Sequence, residues 1–395
     1  MVLALNLRAS ITSLPPVFTD LSHRLHLSPA EVTILATIPV LCFGLFSGVA
    51  APLSRRFGEE RVLLGALALL AAGLALRGAL PSWLLYPGTV LGMAAIALMN
   101  VLLPSLVKRR QPSRAGLLIG SYLLCLSVGA VLGSLLAVPL FRSTGQAGWL
   151  GGPVRFTLWL WAIPAVIAFA VWLPQWRYRT QPGPAAEDPV TVSPARVGAA
   201  GVPIARHALA WQVTAFMGLQ SLTYYAALSW LPTLFQDRGM SAAQAGDLSA
   251  LMNFGNAVTA LLIPVIAHRM AGQRLLAVPI VIATAVGLAG ALYAPLGGAW
   301  AWVLLLGLSQ GGSLSLAIFY TVARSPDPAT AASLSALAQG GGYLLATAGP
   351  LAVGLLHEAT GGWNVPITLL LVICAAELVS GYLAGRDRVL PGAAR

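Results

Sequence analysis

Arg8 stands where a charge is least expected. It lies about a turn and a half into an apolar run that begins at Val2, with no acidic residue within one helical turn. A guanidinium held in hydrocarbon costs at least about 2.5–3.5 kcal/mol, so one placed there without purpose is disfavoured. Two outcomes fit. The long stem can carry the charge back to the membrane surface near Met1. Alternatively, the head is a fixed positive charge in an internal cavity, where its forked donors bind an anionic or dipolar group. Asn6 and Thr12 flank Arg8, and Thr12, four residues on, shares its helix face.

Uncharged polar groups recur at helical spacing further along the chain. Gln220, Thr223 and Tyr224 fall at i, i+3 and i+4, with Tyr225 adjacent; Asn253 and Asn256 lie one turn apart; Gln310 stands alone; Gln339 and Tyr343 are four apart. A polar and aromatic face inside a membrane helix marks either a wet cavity or packing against a neighbour. Read as a cavity, Asn6, Arg8, Thr12, Gln220, Tyr224, Tyr225, Asn253, Gln310, Gln339 and Tyr343 supply one charge and many neutral donors, a set that suits a small polar anion with delocalised charge.

Coupling to protons needs a titratable group in the pathway. Asp20, Glu31, Asp237, Asp247 and Glu358 fall near span ends, where capping and surface roles account for them, and Glu59, Glu60, Asp327 and Asp387 fall on the expected cytoplasmic side. Glu377 alone lies deep in an apolar run, as a structural partner or as a proton site. Asp20 and Glu377 are therefore the candidates for coupling. Arg77, close to the end of its run, is expected to send its head to the membrane surface. The five histidines never reach ligand spacing, the three cysteines sit in separate apolar stretches, and no nucleophile–base set converges, so neither metal, cofactor nor enzymatic activity is expected.

The elements that must hold these groups follow from composition. Of 395 residues 57% are hydrophobic and only 9% charged, with a mean hydropathy of +0.81. A soluble domain needs roughly a quarter of its residues charged, so most of this chain's exterior faces hydrocarbon. A helix crossing the bilayer core takes about 20 residues. Apolar runs near 2–22, 30–53, 62–80, 84–107, 115–141 and 154–175, then 208–235, 244–267, 275–293, 299–323, 331–356 and 365–385, give twelve such spans. The expected fold is all-α, with twelve transmembrane helices in two pseudo-symmetric six-helix bundles.

The net charge of +11 is topological. Arg55, Arg56, Arg61, Lys108, Arg109, Arg110 and Arg114 in the first half, Arg177, Arg179, Arg196 and Arg206 at the centre, and Arg269, Arg274, Arg324, Arg386, Arg388 and Arg395 in the second half share one side of this arrangement. The positive-inside rule makes that side cytoplasmic, together with both termini. The bias accounts for the basic balance without nucleic acid. Prolines 182, 184, 189, 194 and 203 make the central stretch a loose connection. The domains expected are 1–176, a linker at 177–206, and 207–395, in a multi-pass protein of a bacterial inner membrane that acts as a monomer.

The halves echo each other. Leu14-Pro15-Pro16-Val17-Phe18-Thr19-Asp20 matches Leu231-Pro232-Thr233-Leu234-Phe235-Gln236-Asp237 at Leu, Pro, Phe and Asp. Ser28-Pro29-Ala30-Glu31 and Ser241-Ala242-Ala243-Gln244 are both capping boxes, and the connections 51–61 and 264–274 correspond. A duplicated six-span unit is a transporter architecture. Gly129 and Gly133 form a small-xxx-small pair for close helix packing. Gly340–Gly342, Gly349-Pro350 and Gly354 interrupt the eleventh span, for packing or for a bend.

These features resemble the major facilitator superfamily. The loop Arg55-Arg56-Phe57-Gly58-Glu59-Glu60-Arg61 is similar to its signature between spans two and three, departing at Arg55, where an Asp is usual; Arg55 and Arg56 are candidates for gating. Closer still, the cyanate and 2-nitroimidazole transporter family is resembled in Asn6-Leu7-Arg8 with Ile11-Thr12-Ser13, in 38–44, in Gly218-Leu219-Gln220-Ser221, and in 334–358 from Leu334-Ser335-Ala336 to Leu356-His357-Glu358. The resemblance implies secondary transport of a small anion or planar nitrogen compound by alternating access. Proton-coupled efflux of drugs or metabolites is the alternative.

Overall fold

The computed structural model describes residues 2–79, 82–110, 115–143, 153–178 and 204–391. Most of the expected linker, 179–203, lies outside them, as do Arg114, Arg179, Arg196 and Arg395; of Lys108, Arg109 and Arg155 only the backbone is described. No strand occurs among the described residues.

The first half holds α1 (Val2–Thr12), α2 (Phe18–Leu25), α3 (Pro29–Phe46), α4 (Ala50–Phe57), α5 (Glu59–Arg77), α6 (Leu85–Arg110), α7 (Ala115–Ser143), α8 (Pro153–Leu160) and α9 (Ala162–Trp172). The second holds α10 (Ala208–Asp237), α11 (Ala242–His268), α12 (Arg274–Tyr293), α13 (Ala299–Ala323), α14 (Pro328–Ala346), α15 (Ala348–Thr360) and α16 (Asn364–Ala384). Four successive pairs, α1/α2, α3/α4, α8/α9 and α14/α15, each correspond to one expected apolar run. Taking each pair as one rod leaves twelve among the described residues, at the places the apolar runs predict. Eight helical stretches among the described residues are by themselves long and apolar enough to cross a membrane.

The breaks have local causes. Pro15 and Pro16 lack the N–H that would continue α1, and a 3-10 turn over Pro15–Val17 follows it. Pro350 cannot donate to the carbonyl of Ala346, and the helix is interrupted one residue later, at Thr347. Both capping boxes form: Glu31 N–H donates to Ser28 Oγ at 3.3 Å while Ser28 N–H donates to Glu31 Oε2 at 2.8 Å. At Ser241 and Gln244 the same two bonds are 3.3 and 3.0 Å.

The chain divides into two compact units. The first comprises Met1–Ala186 with Leu231–Ala250, the second Glu187–Trp230 with Leu251–Arg395. In the first, α1 lies so close to α7 that a Cβ at Gly129 would come within 2.3 Å of the Leu5 carbonyl oxygen, and one at Gly133 within 2.3 Å of Thr12 Oγ1. In the second, a comparably close approach joins α11 and α13, where a Cβ at Gly307 would meet the Met252 carbonyl oxygen at 2.3 Å. Glycine is required at these positions because any side chain would strike backbone. Ile163, Val171, Leu262, Val265 and Val372 turn outward and exposed, which suits hydrocarbon and would be an aggregation liability in water.

Candidate functional site

In the first unit the α1 polar groups take different directions. Arg8 is half-buried, and its carbonyl accepts from Thr12 Oγ1 at 3.1 Å. Thr12 itself is buried and faces α7, its hydroxyl 2.9 Å from the Ala130 carbonyl oxygen. Asn6, buried, donates through Nδ2 to the Pro164 carbonyl of α9 at 3.1 Å. Asn6 and Thr12 thus brace α1 against α9 and α7 on either side of Arg8.

Arg77 does not reach the membrane surface as expected. It is 4% exposed and lies along α6, where a Cβ on Gly88 would come within 3.1 Å of its Cγ. Its Nη1 donates to the Ser10 carbonyl of α1 at 3.3 Å. Nε and Nη2 are buried without an acceptor. Position near the end of a run suggested snorkelling, but the missing Cβ of Gly88 opens an inward path that no spacing rule reveals. Unpaired buried donors cost about 1–3 kcal/mol each, more when charged, so a second positive group stands buried near α1.

In the second unit a polar cluster joins α10, α13 and α16. Glu377 is fully buried, with Oε1 accepting from Ser313 Oγ at 3.0 Å. Gln310 Nε2 donates to Thr223 Oγ1 at 3.1 Å, and Thr223 donates to the Gln220 carbonyl at 3.0 Å. Gln220 turns its amide nitrogen to Ser221 Oγ at 2.6 Å. Glu377 Oε2 and Gln310 Oε1 are buried and have no donor. Spacing places Gln220 on a polar face, and Gln310 is a lone polar candidate in its span; Ser313, one turn after Gln310, was missed because a serine among glycines carries no distinctive signal.

A second group lies beside it. Tyr224 donates to Asn253 Oδ1 at 3.3 Å. The Tyr225 ring packs edge-on to Tyr224 and to Tyr343, with centroids 5.0 and 6.4 Å apart. Gln339 is half-buried and donates to Ser335 Oγ of its own helix at 2.8 Å.

The remaining candidates for coupling or gating lie near helix ends of the first unit. Asp20 is half-buried in the first turn of α2, where the helix dipole favours an acid. Arg55 and Arg56 are exposed, Arg56 lying 5.2 Å from the Phe57 ring centre. The neighbouring acids, expected on the cytoplasmic side, are buried. Glu59 accepts from Ser105 Oγ at 2.8 Å, and Glu60 pairs with Arg110 at 2.9 Å. At the corresponding place in the second unit, Arg324 donates to Gln273 Oε1 and to the Ala384 carbonyl. Burial lowers the Arg324 guanidinium from its ordinary value, opposed by Tyr320 and Asp387.

Comparison with known proteins agrees with this architecture. A model of the Major Facilitator Superfamily matches residues 1–350. The chain is 38% identical to the 2-nitroimidazole transporter of Escherichia coli (strain K12), over 98% of this chain and 94% of that protein. It is 30% identical to the cyanate transport protein CynX of the same organism, over 92% and 90%. Among solved structures, an inward-facing, occupied bacterial homolog of the human lysosomal transporter Spinster gives a TM-score of 0.77 at 16% identity, covering 99% of this chain and 98% of that one. The D-xylose-proton symporter gives 0.71 at 15%, covering 98% and 99%; at such identities these two speak for the fold alone.

Proposed function

The chain belongs to the major facilitator superfamily and is a multi-pass membrane transporter, not an enzyme, and we propose that its cargo is a small anionic or planar polar solute of the cyanate or nitroimidazole kind, moved by alternating access. The observation that carries this reading is Arg8, a half-buried cation on α1 between two polar residues that tie the helix to α9 and α7. Fixing the backbone on both sides limits how far the charge can wander, which favours directed recognition of an anion over a mobile surface contact. The relatives named for 2-nitroimidazole and for cyanate support the cargo class. Gln220, Tyr224, Tyr225, Asn253, Gln310, Gln339 and Tyr343 would orient the solute with neutral donors and aromatic edges. The protein would work as a monomer in a bacterial inner membrane, with both termini in the cytoplasm.

The test is uptake of radiolabelled cyanate and 2-nitroimidazole by liposomes holding the purified protein. Arg8→Ala should lower uptake about ten-fold or more; equal uptake by variant and parent would refute the role given to Arg8, and no uptake of either solute by the parent would refute the cargo.

Glu377 favours a second reading, proton-coupled efflux. A buried carboxyl with one oxygen lacking a donor is a place where a proton can be held. In that case replacing Glu377 or Asp20 abolishes flux driven by a pH gradient and leaves ligand binding intact.

A further inference from the structure

Arg77 presents a donor pair of a defined shape. With Nη1 committed to the Ser10 carbonyl, the two groups left without acceptors are Nε and Nη2. These two nitrogens share one edge of the planar guanidinium, so their N–H bonds run parallel, at the separation of two oxygens bound to one atom. The stem packs on α6 where Gly88 lacks a side chain: a Cβ there would lie 2.7 Å from Arg77 N and 3.1 Å from Cγ. Among the described residues no carboxylate accepts from the head.

We propose that the Nε–Nη2 edge of Arg77, within the first unit, binds a planar group carrying two oxygens on one atom, a carboxylate or a nitro group. A water molecule could fill the edge but would leave the charge uncompensated, and a linear ion such as cyanate offers a single atom at either end and fills one donor only. Arg77 is then a specificity residue that separates forked from linear solutes. Its meaning for transport rests on the carrier reading above; the binding itself does not, and it is independent of Arg8.

The experiment measures binding of benzoate, 2-nitroimidazole and cyanate to the purified full chain by calorimetry, for the parent, Arg77→Lys and Arg8→Ala. Lysine keeps the charge and loses the fork. The parent should prefer at least one forked probe over cyanate, and Arg77→Lys should weaken that probe about ten-fold or more while cyanate binding changes little. Benzoate and 2-nitroimidazole tell a carboxylate site from a nitro site. Arg77→Lys binding the forked probes as the parent does, or a parent without preference for them, overturns the proposal. If Arg8→Ala alone loses binding, the proposal falls and the cargo reading stands. Should Arg77→Lys not fold, a structure of the parent soaked with 4-iodobenzoate decides: carboxylate density on this edge supports the site, and iodine signal elsewhere or only water on the edge overturns it.

Discussion

Gln273 Oε1 accepts a hydrogen bond from Nη2 of Arg324, at the place in the second half where Glu60 accepts from Arg110 in the first. Each acceptor stands at the start of one helix, α12 or α5, and each arginine at the end of the next, α13 or α6. The duplicated contact therefore survives with a neutral acceptor in one copy and a charged one in the other. The surroundings explain the difference. Arg110 is 34% exposed and pairs with a buried carboxylate, whereas Arg324 is 2% exposed and is satisfied by the Ala384 carbonyl at 2.9 Å and the face of Tyr320 as well as by Gln273.

Removing the two arginines should thus have unequal effects. Arg324→Ala leaves the Ala384 carbonyl and the Gln273 amide oxygen buried without donors, a loss of about 2–4 kcal/mol. Arg110→Ala removes a partly exposed partner and should cost less. Thermal unfolding in detergent should show the larger fall in Tm for Arg324→Ala, and Gln273→Glu, which restores the pair of the other half, should keep the parental Tm.

The packing of α1 on α7 gives a second test. A methyl group at Gly129 or Gly133 meets backbone or the Thr12 hydroxyl at 2.3 Å, and backbone cannot rotate away. Gly129→Ala and Gly133→Ala should each destabilise by about 1–3 kcal/mol. Gly120→Ala in the same helix meets nothing within 4 Å and should leave Tm unchanged or raised, since alanine favours the helix. Equal Tm values for all three would show that α1 and α7 can separate without cost.

Much of this organisation is readable from residue types alone, because it is set by local rules. Twelve rods follow from apolar runs long enough for a bilayer. Both capping boxes follow from Ser and Glu or Gln three apart, and the broken eleventh span from Pro350. The small-xxx-small spacing of Gly129 and Gly133 announces a close neighbour, though not that the neighbour is α1. What escapes is the direction of long polar side chains. Arg77 turns inward because Gly88, on another helix, leaves it room. Glu59 and Glu60 are buried because Ser105 and Arg110 lie opposite them. Glu377 finds Ser313 across α13 at a separation no periodicity encodes. Such contacts belong to packing between helices, and a linear pattern records only one side of each.

The cluster around Thr223 is built so that one hydroxyl serves several partners. Thr223→Val keeps the shape and removes the acceptor of Gln310 Nε2 and the donor to the Gln220 carbonyl. The expected cost is about 1–3 kcal/mol, read as a lower Tm. Thr223→Ser should recover most of it. Equal stability of the valine variant would show that Gln310 rearranges to other partners.

Glu377 offers the sharpest division between a structural and a mechanistic role. It ties α16 to α13 through Ser313 at 3.0 Å, and its Oε2 meets no donor. Glu377→Gln is close to the same size and keeps an oxygen for Ser313 while losing the titratable proton. Glu377→Ala removes the tie as well and leaves a buried gap, costing about 2–5 kcal/mol. If the carboxyl serves only to join the helices, the glutamine variant should carry solute as the parent does, and the alanine variant should fail through instability. If it holds the coupling proton, the glutamine variant should have the parental Tm and normal counterflow exchange of solute, yet should no longer accumulate or expel solute against its gradient when a pH difference is imposed. Counterflow and pH-driven flux measured on the same liposomes separate these cases, because exchange needs the binding site and the conformational cycle but no net proton movement. Full pH-driven flux in Glu377→Gln would remove Glu377 from the coupling mechanism and leave it as a strut between two helices.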